Sequence, residues 1–296
     1  MDLFRSMLAF QAVAVHSGFT GAAHALNVSN ATVTGLVQQL EGHWGVTLFH
    51  RTTRRVTLTN DGAAALERVE RLLQDVTDLG EGMRGATRAA TGRLRVDVPA
   101  AFGRHILAPA LPRFFAKFPG IQLEVGSSDR PVDLLRESVD CVVRGGPVVD
   151  ETLVARRLKN LPMITCAAPA YIKKHGAPQT PDECTHHKAV AFLSPLTGKV
   201  ATFDFERNGV AREVTVSHLA ACNDTDTLIA CGVAGLGLFQ TPRSAYVNSL
   251  LRSKKLVRVL SDWDVGQLPI FVLYPPTRHL NARVRAFVDW LVESKL

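Results

Sequence analysis

Between residues 29 and 41 the chain carries short hydrogen-bonding side chains at helical spacing: Asn30, Thr32, Thr34, Gln38 and Gln39 alternate with Val33, Val37 and Leu40. The apolar members recur in steps of three and four and are expected to face a core together with Ala31, leaving hydroxyls and amides outside. A helix that presents such groups suits the donor and acceptor edges of base pairs in a major groove. Ser29 is placed to cap this helix. Downstream, Arg51, Arg54 and Arg55 supply positive charge suited to phosphate oxygens or a narrow minor groove. On chemistry alone, a plain helical hairpin with a solvated basic turn remains the alternative.

For that face to be presented, other elements must hold it. Leu3, Phe4, Met7, Leu8, Phe10, Ala14 and Val15 predict a first helix, stopped by Ser17 and Gly18. A second helix is expected over 20–26, with small Ala22 and Ala23 allowing a close crossing, then a break at Asn27 and Val28 before a third helix to about residue 43. Residues 46–49 and 55–58 read as two strands joined by 51–54. Residues 60–91 read as one long helix with a seam of Ala65, Val69, Leu72, Val76, Leu79, Met83 and Ala86. Nothing large lies beside that seam in sequence, so it is expected to pair with the same helix of a second subunit; an ordinary core helix is the alternative. Gly80, Gly82 and Gly85 weaken its end.

From residue 92 onward strands alternate with helices. Strands are expected over 94–98, 121–126 and 141–144, with helices over 102–118 and 132–137. This βαβαβ order implies a parallel sheet covered by helices. Further strands are expected over 163–167, 189–193, 214–218 and 267–273, and helices over 225–234 and 283–291. The late strand and helix would complete the first of two lobes, with a ligand cleft between the lobes near their strand ends.

The bulk numbers bound the answer. At 296 residues, 46% hydrophobic and 21% charged, the chain has room for two or three compact units. A net charge of +7 favours an anionic partner without dictating a fold. Five scattered cysteines without a CxxC pair argue against a disulfide framework or a thiolate zinc site. The first residues lack the pattern of a signal peptide and no apolar run reaches membrane-span length, so a cytoplasmic location is expected. No cofactor and no metal are expected.

The order Gly18-Phe19-Thr20, Ala22-Ala23, Leu26, Ser29, Thr34, Val37 and Leu40-Glu41 continues with Gly45-Val46, Leu48-Phe49, Arg51, Arg54, Leu58-Thr59 and Gly62. This long, correctly spaced series resembles the LysR-type transcription regulators. The likeness runs on through Leu94-Arg95-Val96, Pro99, Phe102-Gly103, Phe118-Pro119, Val132-Asp133-Leu134, Asp140–Gly145, Gly235-Leu236-Gly237, Leu280, Arg283 and Phe287, and so covers nearly the whole chain. It implies a mixed fold: an α-rich winged helix-turn-helix over 1–59, a linker and dimerisation helix over 60–91, and a two-lobed α/β effector-binding domain over 92–296, similar to periplasmic binding proteins. Lobe I would comprise 92–162 and 269–296, and lobe II 163–268. The implied partners are a double-stranded DNA operator, a small-molecule effector, and further copies of the chain as a dimer or dimer of dimers.

The resemblance also implies where an effector sits: Ala100, Ala101 and Phe102 after the first strand, Ser127 and Ser128 after the second, Arg144 ending the third, then Phe192, Leu193 and Ser194, with Asn223 and Asp224 before a second-lobe helix. Hydroxyls and helix N-termini suit a small organic anion, and Arg144 could pair with it bidentately. Relatives often carry hydroxyls where Ala100 and Ala101 stand, and Arg144 could instead be structural. The family often has a long base where this chain has Gly35.

Other classes find less support. The glycines of 232–237 are wrongly spaced for dinucleotide binding, and Cys184, His186 and His187 lack a fourth metal ligand. An enzyme, or a small-molecule binder without DNA binding, is therefore disfavoured. Cys222 and Cys231 leave open a redox sensor, although a free Cys on a helix is more often a small apolar residue.

Overall fold

The computed structural model describes residues 2–51, 56–83, 90–134, 137–276 and 281–294. It divides into two compact units, Met1–Arg88 and Ala89–Leu296.

In the first unit, helix α1 (Leu3–Val15) is started by Asp2, whose carboxylate accepts the Arg5 N–H at 3.1 Å. Helix α2 (Phe19–Leu26) ends where Asn27 turns left-handed, φ 54°, and helix α3 (Asn30–Trp44) begins at once. Ser29 caps it, its Oγ accepting the Thr32 N–H at 3.1 Å. Phe10, Val13, Ala22, Val33, Val37, Leu40 and Leu48 are fully buried in one shared core.

Strands β1 (Phe49–Arg51) and β2 (Val56–Leu58) form an antiparallel wing. The first strand starts three residues later than the expected 46–49. The Val46 N–H closes the end of α3 on the Glu41 carbonyl, and the Leu48 N–H donates to the Glu41 carboxylate at 2.8 Å. Those amides are committed to α3 before the ladder begins.

Helix α4 (Asn60–Met83) follows, with the Thr59 hydroxyl accepting the Gly62 N–H at 2.8 Å. A Cβ at Gly62 would lie 2.1 Å from the Leu48 carbonyl oxygen, so glycine is required for α4 to approach the wing. The expected seam divides here. Ala65, Leu66, Val69 and Leu73 pack into the unit's own core, while Leu72 and Val76 stay 51% and 49% exposed. Part of the apolar surface assigned to a second subunit is thus covered by α4's own unit. The side chains of Leu79 and Met83 and the whole of Ala86 lie outside the described residues.

The second unit opens with strand β3 (Gly92–Val98), short helix α5 (Ala100–Phe102), a π-helical turn over Gly103–Leu107 and helix α6 (Ala108–Lys117). The single helix expected over 102–118 is thus widened near its start, just ahead of where Pro109 and Pro112 remove backbone donors. Strands β4 (Ile121–Ser127) and β5 (Cys141–Gly145) flank β3, both parallel to it. The helix expected over 132–137 does not form at 132–134. The segment makes a turn in which the Glu137 N–H reaches the Asp133 carbonyl at 2.9 Å; Leu135 and Arg136 lie outside the described residues.

Strand β6 (Val154–Ala167) is long. Helix α7 (Pro169–His175), strands β7 (Ala189–Phe192), β8 (Phe203–Arg207), β9 (Val210–Val214) and β10 (His218–Cys222), and helix α8 (Thr225–Val233) come next. The chain ends with β11 (Phe239–Pro242), α9 (Ala245–Arg252), β12 (Val257–Val259), β13 (Gln267–Tyr274) and α10 (Ala282–Glu293). The strand expected over 214–218 falls between β9 and β10, so residues 215–217 are a connection.

Two lobes result. Residues 154–162 of β6 pair with β13, which pairs with β5 and completes the first sheet in the order β13-β5-β3-β4. Past Pro162 the same strand leaves β13 and pairs with β11 and β12. Leu94, Val96, Phe114, Phe287 and Trp290 form the first lobe's core; Ile164, Leu228, Ile229 and Phe239 form one core of the second. The chain returns to the first lobe through β13, which pairs with β5, and through α10, whose Phe287 and Trp290 join that lobe's core.

Candidate DNA-reading helix and sensor cleft

Helix α3 buries Val33, Val37 and Leu40 and leaves Asn30, Ala31, Thr32, Gln38 and Gln39 exposed. Ala31, expected in the core, is on the outer side. At 100° per residue the point opposite the buried stripe lies between Ala31, Gly35, Gln38 and Gly42, with Thr32 and Thr34 on its two flanks. Several polar groups are tied within the unit. The Asn30 amide donates to Thr20 Oγ1 at 3.3 Å, joining α3 to α2. Thr32 Oγ1 lies 2.8 Å from Ser29 Oγ, and the half-buried Thr34 donates to the Asn30 carbonyl at 2.9 Å. Gln38 makes no hydrogen bond among the described residues, so both its donor and acceptor remain available. A Cβ at Gly35 would meet nothing within 4 Å. Arg51 ends β1; its side chain, and Arg54 and Arg55 entirely, lie outside the described residues.

In the second unit the candidate residues gather into two groups at strand ends. Ala101, Phe102, Ser127, Ser128 and Arg144 lie at or just beyond the C-terminal ends of parallel β3, β4 and β5. Phe192, Ser194 and Asp224 lie at or beyond the ends of β7 and β10, which are also parallel. Helices α5 and α8 touch, bringing the two groups into one region.

Their side chains are engaged to different degrees. Phe102 is 5% exposed and belongs to the first lobe's core, which leaves little of its ring for a ligand. Ser127 is exposed and Ser128 half-buried, with Ser128 Oγ 3.5 Å from an Asp97 carboxylate oxygen. Ser194 Oγ accepts the Thr197 N–H at 3.3 Å, and Asp224 caps α8 by accepting the Thr227 N–H at 2.8 Å.

Arg144 departs most from its expected part as the partner of an anion. Its guanidinium meets Asp97 Oδ1 at 2.5 Å, the Val143 carbonyl at 2.7 Å and the Arg130 carbonyl at 3.1 Å. With Arg144 and Asp97 only 19% and 10% exposed, this is a largely buried, internally satisfied pair. The structural alternative raised for Arg144 is the arrangement present.

Several polar residues at this junction escaped the sequence reading. Asp97 sits between buried Val96 and Val98, and a charge inside a buried strand was a readable signal. The others, His105, Asp129, Asp226 and Tyr246, meet only through the tertiary fold. Asp129 carries a carboxyl pushed up to about 6, first by burial and then by the Asp224 carboxylate; the Thr225 backbone N–H and Arg144 oppose the rise.

Among the described residues no group of three or more His, Cys, Asp or Glu is arranged to hold a metal ion. No described helix is long and apolar enough to cross a membrane. Gly237 serves packing: a Cβ there would lie 2.2 Å from the Lys188 carbonyl oxygen.

A winged helix-turn-helix in one unit and a two-lobed α/β sensor in the other define the class, a DNA-binding transcription regulator with a substrate-binding domain. Residues 4–63 match the family model described as bacterial regulatory helix-turn-helix protein, lysR family, and residues 87–295 match the LysR substrate binding domain. The chain belongs to the LysR family.

It is 36% identical over 293 residues to the HTH-type transcriptional repressor PA14_22550 of Pseudomonas aeruginosa, covering 99% of this chain and 92% of that protein. It is 31% identical to the HTH-type transcriptional regulator CrgA of Neisseria meningitidis, covering 95% of this chain and 93% of that protein. The solved structure of CrgA superimposes with a TM-score of 0.62 at 28% identity over 98% of both chains. That of the Vibrio cholerae virulence activator AphB does so with a TM-score of 0.61 at 26% identity over the full length of both. These relatives are named as transcription regulators, none as an enzyme.

Proposed function

We propose that α3 enters the major groove of an operator with Gln38 as a principal base-reading side chain, Asn30, Thr32 and Thr34 shaping the flanks, and Arg51, Arg54 and Arg55 of the wing on the backbone. The observation that carries this is the α3 surface itself: a helix locked by a buried stripe on one side, with an unengaged amide and two side-chain-free glycines on the other. Glycine at 35 and 42 lets backbone approach the groove closely, in place of the long base common at position 35 in the family. The protein then acts where its operator is, in the cytoplasm, as a dimer joined by the exposed Leu72 and Val76 of α4, with dimers able to pair further.

The effector reads best as a small molecule held between the lobes by Ala101, Ser127 and Ser128 on one side and Phe192, Ser194 and Asp224 on the other. A small organic anion would have to draw Arg144 away from Asp97, so ligands with neutral hydrogen-bonding groups are favoured over simple carboxylates. Metabolite sensing is favoured over cysteine chemistry, because burial first and contact with Cys231 second push the Cys222 thiol up to about 11, leaving little thiolate at neutral pH.

The test is a thermal-shift panel of small organic acids and their amide or alcohol analogues, followed by operator binding with any hit. A stabilising neutral analogue that changes operator affinity supports the reading. Stabilisation by the acids alone, lost in Arg144→Lys, would instead restore the anion assignment.

A further inference from the structure

The two lobes of the sensor are fastened where the first lobe meets the start of α8. The π-helical turn of the first lobe supplies His105, whose Nε2 lies 3.0 Å from Asp226 Oδ1 in the first turn of α8. The same imidazole stacks on Tyr246 of α9, ring centroids 4.1 Å apart and planes within 4°. Arg104, mostly exposed, adds a contact of 3.0 Å to the other Asp226 oxygen. Just past β4, Asp129 projects from the first lobe toward the same end of α8. It faces the Thr225 backbone N–H and the Asp224 and Asp226 carboxylates of the second lobe, and Arg144 of its own. Asp129 Oδ2 is buried without a hydrogen-bond partner among the described residues.

We propose that these contacts form a proton-coupled clasp: taking up a proton at Asp129 holds the first lobe against α8, and losing it loosens the lobes. The chemistry of the Asp129 contact sets the sign. An ionised Asp129 is buried beside the carboxylate that caps α8, which disfavours contact; a neutral Asp129 removes that repulsion and gains a hydroxyl able to donate to Asp224. His105 and Asp226 hold the same junction through their 3.0 Å contact, which positions the start of α8 beside Asp129. Arg144 is engaged by Asp97 and so neutralises Asp129 only in part. The Asp129 contact therefore tightens in acid.

The size of the effect follows from linkage. A carboxyl at about 6 in the closed arrangement returns toward 3.8 when the lobes part and water reaches it. The closed arrangement thus binds the proton more tightly, and its advantage is lost as pH rises through about 6. Between pH 7.5 and 5.5 this one group raises the ratio of closed to open lobes about fourfold. The proposal concerns the sensor without ligand or DNA, so its test is independent of the effector assignment.

Hydrogen exchange of the full chain, corrected for the intrinsic pH dependence of amide exchange, reads the clasp at residues 103–107 and 225–229. In the wild type, protection there should rise about fourfold from pH 7.5 to 5.5, while the β3–β4 core stays unchanged. Asp129→Asn, of the same shape and permanently neutral, should show the acid level of protection at both pH values. Asp224→Asn, which keeps a capping side chain, should move the transition to lower pH. Protection independent of pH in the wild type, or an unaltered transition in both variants, would overturn the proposal.

Discussion

Removing Asp97 should unsettle the sensor more than any other single carboxylate at the lobe junction. Asp97 and Arg144 meet at 2.5 Å with side chains 10% and 19% exposed. Breaking a fully buried pair by removing one partner costs about 3–5 kcal/mol, whereas exposed pairs are worth about 0–1 kcal/mol. Slight exposure on both sides places Asp97→Asn between these limits, at about 2–3 kcal/mol. In a unit of this size that lowers the melting temperature by roughly 4–12 °C. Arg144→Met should cost a similar amount, and the double variant less than the sum, because each single change strands the other's charge. The assay is thermal and urea unfolding of the full chain, following the transition of the sensor unit across the cycle. A melting temperature for Asp97→Asn within 1–2 °C of wild type would refute the reasoning and return Arg144 to the pool of free ligand-binding cations.

Two further outcomes follow from the first unit. Gly35→Ala meets no obstruction and should stabilise the winged unit by about 0.5–1 kcal/mol, read by urea unfolding, since glycine is a poor helix former; Gly35→Leu should fold equally well yet weaken operator binding in an anisotropy titration. Leu72→Glu places a charge on the exposed stripe of α4 and should shift sedimentation toward monomer without altering the melting of the unit, because Leu72 is not part of its core.

Much of the first unit was legible because its signals are local. Ser29 caps α3 as its position implied, Asn27 takes the left-handed conformation that ends α2, and Val33, Val37 and Leu40 face inward at the expected spacing. The start of the wing was misjudged because Glu41, seven residues earlier, captures the Leu48 amide. The α4 seam was misread in part, because sequence does not say that Ala65 and Val69 pack back into the unit's own core while Leu72 and Val76 stay exposed.

In the second unit the β8–β9 hairpin was missed although Asn208-Gly209 announces it: both residues have positive φ, 53° and 75°, as a two-residue hairpin turn requires. The 132–137 segment carries helix-forming residues, yet its described part is a turn. The lobe junction was the least readable region. Asp97 and Arg144 are 47 positions apart, and His105 and Asp226 are 121 apart, so their pairing depends on the finished topology.

Helix α3 is proposed as the sequence-reading element of this DNA-binding regulator. Fluorescence anisotropy with a duplex from the chain's own promoter region and a random duplex of equal length, over a range of salt, tests it directly. The wild type should prefer the promoter duplex and lose affinity steeply with salt, as phosphate contacts release counterions. Gln38→Ala should keep the salt slope but lose about 1–3 kcal/mol of discrimination. Equal affinity of the wild type for both duplexes, or full discrimination retained in Gln38→Ala, would contradict the role given to this face.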